Sequence, residues 1–185
     1  MFSAAAWTWP RVPPQIPIHW NAAGEVDGYG GRFAGLLLLP LTSLGLYFLF
    51  LVLPKLDPGK SNYEGFARVY TIIRNVFITF MGVIYTATTA AVLGHRVDMA
   101  RFISIAMGVL FVVIGNYLGK VRPNWFVGIR TPWTLSSKLS WTRTHRLAGW
   151  LFVFSGLATL ISGLARPSWG LFVMLGTMLP SVVTL

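Results

Sequence analysis

The chain has 185 residues, of which 55% are hydrophobic and only 11% are charged. A soluble domain carries about 25% charged residues, so this composition excludes an ordinary soluble fold and indicates a membrane protein. The absence of cysteine excludes a disulfide framework and thiolate metal sites. The first residues have no basic segment and no long apolar stretch, so we expect no cleavable signal peptide.

Residues 1–32 precede the first long apolar run. Apolar and other side chains alternate over 16–20, which is the period of a strand. Turn residues follow over 21–24, and 25–29 is predicted to return as a second strand. We therefore expect a small hairpin-like segment at the N-terminal end of the chain.

This segment holds polar candidates for binding: His19, Asn21 and Asp27. Together with Glu25, His19 and Asp27 have the side chains to ligate a metal, but their spacing matches no established ligand pattern. We favour a structural role in the turn, and we predict no metal and no cofactor.

Five apolar runs of 17 to 21 residues follow, each close to the ~20 residues that cross a bilayer as a helix. They cover 33–53, 76–93, 102–118, 147–165 and 169–185. Pro40 should distort the first helix without abolishing it. The fold class is thus an all-α membrane protein, a polytopic bundle of about five transmembrane helices.

The basic residues of the loops predict the orientation. One side carries five Lys or Arg and the other carries ten. The positive-inside rule places the ten-charge side in the cytoplasm, so the N-terminal segment lies outside and the C-terminus inside. One integral membrane domain then comprises an external segment (1–32), three helices (33–118), a basic cytoplasmic segment (119–146) and two helices (147–185).

Helices in lipid associate through close contact of small residues. Two stripes at helical spacing are predicted to be such contact faces. One comprises Ser155, Thr159, Ser162 and Gly163, and the other comprises Gly82, Thr86 and Ala90. Asn116, a polar residue within a span, is interpreted as a hydrogen-bonding contact between helices.

The basic segment, residues 119–146, carries six Lys or Arg and no acidic residue. Thr131 precedes a proline and should be extended. Ser136 or Ser137 is a plausible N-cap for a helix that leads into the fourth span. On that helix Trp141 and His145, at i and i+4, share one face.

Two interpretations of this segment remain open. In the first, its charges fix topology and meet anionic lipid, with Trp125, Trp133 and Trp141 as interfacial anchors. In the second, it docks an acidic partner, with Arg130 as a fork-shaped donor. The candidate binding residues of the segment are Arg130, Thr131, Trp133, Trp141, Arg143, His145 and Arg146.

The chain resembles the SdpI family of bacterial membrane proteins. The resemblance rests on Ile-Pro-Ile-His-Trp-Asn over 16–21 with Gly-Glu-Val-Asp-Gly over 24–28, and on Gly-Asn-Tyr over 115–117. It rests also on Trp-Phe-Val-Gly-Ile-Arg-Thr-Pro-Trp-Thr-Leu-Ser over 125–136, then Trp141 and Thr-His-Arg-Leu-Ala-Gly over 144–149. The first stretch is similar to the family's N-terminal domain of unknown function. Family members typically begin with a further membrane helix, for which the 15 residues before the first motif are too few. We expect either a start codon assigned too far downstream or a shortened, five-helix member.

The resemblance implies a non-enzymatic protein of the bacterial plasma membrane. It implies immunity against a secreted toxin, signalling by recruitment of a regulator, or both. The expected partners are the lipid bilayer, a peptide toxin outside and an acidic or regulatory protein at the cytoplasmic face, without direct nucleic-acid binding. The residues agree on the absence of an enzyme, since they contain neither a metalloprotease His pair nor a nucleophile elbow. A transporter or lipid-handling protein, and a subunit or scaffold of a larger complex, remain alternatives.

The charge bias generates a topology prediction. A reporter fused after Leu53 should be cytoplasmic and one fused after Leu93 external, because the basic loops stay inside. Labelling of the segment around Gly128 from outside intact cells would show the opposite orientation.

Overall fold

The computed structural model describes residues 1–183. Within this range the chain forms eight α-helices and one two-stranded antiparallel sheet. The strands are β1 (Gln15–Trp20) and β2 (Val26–Gly31). The helices are α1 (Phe2–Thr8), α2 (Arg32–Leu36), α3 (Leu38–Leu56), α4 (Ala67–Val92), α5 (Met99–Leu118), α6 (Pro132–Ser136), α7 (Lys138–Ala165) and α8 (Gly170–Val183). Three 3-10 turns complete the order: Trp9–Arg11, Lys60–Phe66 and Pro167–Trp169.

Four helical stretches are long and apolar enough to cross a membrane: Leu38–Leu56, Lys60–Val92, Met99–Leu118 and Lys138–Ala165. They confirm the first four predicted spans and the polytopic helical fold. The fifth predicted span contains α8, whose 14 residues extend ~21 Å against the ~30 Å of a hydrocarbon core. The last two residues of that predicted span, 184 and 185, lie outside the described residues.

The helices begin earlier than their apolar runs. Helix α4 starts at Ala67 rather than near 76, because Tyr70 and Ile73 already belong to its buried face. Helix α7 starts at Lys138, and the predicted cap is present: the Ser137 side chain accepts a hydrogen bond from the Ser140 amide. Polar first turns are therefore continuous with apolar spans in both helices.

The proline in the first span distorts it as predicted. Pro40 has no N–H for the carbonyl of Leu36, and the helix is interrupted at Leu37, where α2 ends and α3 begins. The Leu41 amide still donates to the Leu37 carbonyl at 2.9 Å, so the chain resumes its helical hydrogen bonds at once.

Helices α5 and α7 pack with their backbones in contact, at two levels of the bundle. A Cβ added at Gly115 would lie 2.6 Å from the Gly149 carbonyl oxygen, and one added at Gly149 would lie 2.8 Å from the Gly115 oxygen. The same reciprocal contact joins Gly108 to Gly156, at 2.8 and 2.7 Å. Since no side chain fits between these backbones, glycine is required at all four positions.

The predicted contact stripe on the fourth span is confirmed in α7. Ser155, Thr159 and Gly163 are buried, and the Ser155 hydroxyl forms a 2.5 Å hydrogen bond with Thr177 of α8. Ser162 is only partly buried.

The predicted stripe on the second span is wrong. A Cβ added at Gly82 of α4 would meet nothing within 4 Å, and Thr86 is exposed. The Thr86 hydroxyl instead donates to the Gly82 carbonyl of its own helix at 2.9 Å. Small residues at helical spacing do not distinguish a contact face from a lipid-facing one.

The bundle carries a different structure at each end. The hairpin, α1 and the start of α2 cover one end over a small apolar cluster that includes Ile16, Leu36 and Tyr85. At the other end, the chain that follows α5 packs onto a larger cluster that includes Tyr70, Val121 and Trp141. The candidate binding residues of the two predicted loops therefore lie at opposite ends of the helices.

The glycine contacts generate a stability prediction. Gly115→Ala should destabilise the folded protein by about 1–3 kcal/mol, because the new methyl group cannot enter the contact between α5 and α7. Thermal unfolding in detergent measures the change.

Gly82→Ala is the matched control, since the same methyl group meets open space and alanine is the better helix former by about 1 kcal/mol. Equal unfolding temperatures for both variants would contradict the assigned α5–α7 contact.

Candidate functional site

The α5–α7 loop, residues 119–137, is held by a buried carboxylate that lies far away in sequence. Asp57, just after α3, is 2% exposed. One of its oxygens accepts from the Gly59 amide at 2.6 Å, and the other accepts from the Tyr63 hydroxyl at 2.9 Å and the Trp125 amide at 3.0 Å. Asp57 thus joins the α3–α4 connection to the loop. The Asn62 amide reinforces this junction by donating to the Pro123 carbonyl at 2.8 Å.

Asn124 fixes the turn that follows this junction. Its side chain is buried, and its NH₂ group donates to the carbonyls of Arg122 and Val127 at 2.8 and 2.9 Å. Its carbonyl oxygen accepts from the amides of Phe126 and Val127 at 3.0 and 2.6 Å. With four hydrogen bonds, this one side chain satisfies its own polar atoms and those of the surrounding backbone.

His145 and Trp141 form the floor on which the loop lies. Their rings stack at 4.0 Å between centroids, which confirms the predicted shared face. The Trp141 indole donates to the Val121 carbonyl at 2.8 Å, and the Ile129 amide donates to Nε2 of His145 at 3.0 Å. Nδ1 of His145, 2.8 Å from the Trp141 carbonyl, must then carry the proton, so the imidazole is neutral. Trp141 is therefore a core residue, and its predicted role as an interfacial anchor is wrong.

Gly128 permits the close approach of the loop to this floor. Its φ is +116°, and a Cβ there would lie 2.3 Å from Nε2 of His145. Any side chain would be strained and would displace the imidazole.

Thr131 and Thr134 close the loop. Thr131 is extended, as predicted, and caps α6 in a reciprocal arrangement with Thr134. The buried Thr134 hydroxyl also donates to the Ile129 carbonyl at 2.9 Å. The loop is consequently ordered along its whole length by buried polar contacts.

The outward surface of the loop is aromatic and basic. Trp125 and Trp133 are each 53% exposed, as interfacial anchors would be. Arg130 is exposed, and its guanidinium donates to the Trp125 carbonyl at 2.7 Å. Arg143 is exposed on the first turns of α7. Arg130 is thus held within the loop, whereas Arg143 and Arg146 belong to α7.

Arg146 lies instead beside Asn116, in a cleft between the end of α5 and the start of the apolar part of α7. Asn116 is exposed, and its predicted role as a contact between helices is wrong, because the neighbouring Gly115 makes that contact.

The hairpin brings together two of its three candidates. Nδ1 of His19 lies 2.5 Å from the Asp27 carboxylate across the two strands, and both side chains are exposed. Asn21 caps the turn: its oxygen accepts from the amides of Ala23 and Glu25 at 2.9 and 3.0 Å. Glu25 accepts from the Asn21 side chain, and no group of three metal-ligating residues occurs in the described part of the chain.

Sequence reasoning missed the two polar residues that organise the loop. Neither Asp57 nor Asn124 is among the candidate residues taken from the sequence. The Asp-Pro-Gly sequence at 57–59 does signal that the carboxylate accepts from the amide two residues later. Nothing in the sequence signals the contact with Trp125, 68 residues away.

Family models match the two ends of the chain. Residues 120–185 match the SdpI/YfhL protein family, and residues 1–44 match a domain of unknown function, DUF1648. The match confirms the resemblance to the SdpI/YfhL family over residues 120–185. Comparison with curated proteins and with solved structures gave no match. The family match begins at Lys120. It therefore includes the α5–α7 loop except for Gly119, and it continues through α7 and α8.

The role of Asp57 generates a prediction. Asp57→Asn should loosen the loop, because one of the three donors must then face an NH₂ group. Hydrogen exchange of residues 119–137 should accelerate by roughly tenfold or more, consistent with a lost buried hydrogen bond of ~1–3 kcal/mol.

Glu64→Gln removes the same charge from an exposed position of the same connection and is the matched control. Unchanged exchange in Asp57→Asn, or equal acceleration in both variants, would contradict the anchoring role of Asp57.

Proposed function

We propose that this chain is an immunity or signalling protein of the SdpI/YfhL family in the bacterial plasma membrane. In this proposal its N-terminal hairpin faces outside, where a peptide toxin arrives. The α5–α7 loop faces the cytoplasm and recruits an acidic regulatory protein. The basic residues at the end of the bundle that carries the α5–α7 loop support this orientation. The proposal assigns no catalytic activity to the protein.

The observation that carries the proposal is the order of the loop. A segment that only fixes topology needs basic charge and no particular conformation. Asn124 and Thr134 of this loop, and Asp57 and His145 that bind it from α3–α4 and α7, are all buried and all hydrogen-bonded. Burying polar groups costs free energy unless each one is paired, so this network favours a single conformation. A fixed surface is what recognition of a partner requires.

Arg130 is the best-placed side chain on that surface for recognition. Its neighbours Gly128 and Thr131 are held by His145 and by the α6 cap. Its bond to the Trp125 carbonyl orients the guanidinium while the residue stays exposed. A planar group held in this way suits a carboxylate of an acidic partner better than a mobile ammonium does.

The transporter alternative receives less support. It requires polar groups along a path through the bundle, and α4 is the span that is rich in threonine. The hydroxyls of Thr86 and Thr88 donate to carbonyls of their own helix. Thr79 lies in a groove between α4 and α5 whose other lining residues, apart from Asn75, are apolar.

The proposal predicts that geometry matters at position 130. Arg130→Lys keeps the charge and the topology signal but loses the planar fork. It should reduce protection of cells against toxins secreted by related strains, and weaken photo-crosslinking of a soluble partner to a probe placed at Trp133. Expression and orientation should stay normal.

Arg68→Lys is the matched control, since it makes the same exchange at an exposed residue in the first turn of α4, outside the loop. If Arg130→Lys and Arg130→Ala both retain full protection and crosslinking, the loop is a topology device and the docking proposal fails.

A further inference from the structure

The cleft between α5 and α7 lies beside the loop surface described above and shares only Gly119 and Lys120 with the loop. Its volume is about 280 Å³. Gly115, Gly119 and Gly149 line it where the two helices come closest. Because these residues have no side chains, the cleft is open to the outside of the bundle and its chemistry comes from the residues along its rim.

The rim is cationic and polar at one end. Lys120 and Arg146 both line the cleft and both are exposed. Neither forms an ion pair within the described residues, and no Asp or Glu follows Asp98 in the sequence. The Lys120 ammonium lies 4.9 Å from the centre of the Tyr117 ring, which holds this charge near the helix end. Asn116 adds an exposed amide beside the two cations.

The other end of the cleft is apolar. Trp150 and Val153 line it one and two turns beyond Arg146, so ~6–10 Å along α7 separate the cation from the apolar wall. Trp150 is 73% exposed, the highest value among the large apolar side chains described. Tryptophan in this position is typical of the boundary between headgroups and hydrocarbon.

Both cations border the apolar spans at the same end of the bundle. Lys120 is the first charged residue after an uncharged stretch over 102–119, and Arg146 is the last one before an uncharged stretch over 147–165. Gly119 packs against Arg146, so the end of the first uncharged stretch lies beside the start of the second. Two cations and an amide therefore meet where the apolar spans end, beside an apolar wall, and this is where lipid phosphate is expected.

We propose that this cleft binds one anionic phospholipid. The Arg146 guanidinium and the Lys120 ammonium hold the phosphate, and the Asn116 amide donates to a phosphate or glycerol oxygen. One acyl chain lies along Trp150 and Val153. This site differs from diffuse attraction of basic loops to the membrane, because it predicts one lipid and specific residues.

The test uses the purified full chain, titrated with phosphatidylglycerol and followed by native mass spectrometry. We expect one retained lipid per chain. The double variant Lys120→Gln, Arg146→Gln should weaken its binding by roughly thirtyfold, from the loss of two basic contacts at the membrane surface. Unchanged thermal unfolding in phosphatidylcholine nanodiscs would show that the variant is folded.

The double variant Lys138→Gln, Arg143→Gln removes the same charge from the start of α7, outside the cleft, and should bind phosphatidylglycerol like the parent chain. An equal loss in this control would overturn the proposal in favour of diffuse electrostatics. Equal retention of phosphatidylcholine would overturn the preference for anionic lipid. Equally tight binding of glycerol 3-phosphate would show a site for a free phosphate, since the acyl chain would then contribute nothing.

Discussion

The backbone contact between α5 and α7 determines much of the rest of the structure. Gly108 faces Gly156 and Gly115 faces Gly149, so the glycines on each helix are seven residues apart and the two helices run antiparallel. In lipid there is no hydrophobic drive to bring helices together, and close packing has to supply the attraction. Any side chain at these positions would separate the helices. The position of the chain that leaves α5 relative to the first turns of α7 follows from this contact.

The α5–α7 loop depends on the short distance between α5 and α7. The Trp141 indole reaches the Val121 carbonyl, and His145 reaches the Ile129 amide, only while the end of α5 stays against α7. The loop is then fixed from the other side by Asp57 at the end of α3. Three of the four long helices thus contribute to the position of one loop. Its polar contacts are individually worth about 1 kcal/mol, so their number and burial, rather than any single bond, keep the loop in one conformation.

Sequence predicted the features that depend on local chemistry. The four long spans follow from apolar length, the Ser137 cap and the Thr131 conformation follow from neighbouring residues, and the Trp141–His145 pair follows from helical spacing. The failures concern long-range contacts. The stripe at Gly82 has the same residue types as a true contact face, and Asn116 lies next to the glycine that makes the real contact. Which face of a membrane helix meets protein and which meets lipid is decided by partner helices, and both environments accept the same apolar side chains.

The end of the bundle that carries the α5–α7 loop has two differently charged regions. Of the two acidic residues at this end, Asp57 is buried among hydrogen-bond donors and only Glu64 is exposed, so the surface field is cationic. Lys120 and Arg146 border the apolar spans, whereas Arg130 is held within the loop by the Trp125 carbonyl. A lipid phosphate in the cleft would neutralise the first pair and leave Arg130 unchanged. The proposed lipid site and the proposed docking surface at this end therefore use different residues.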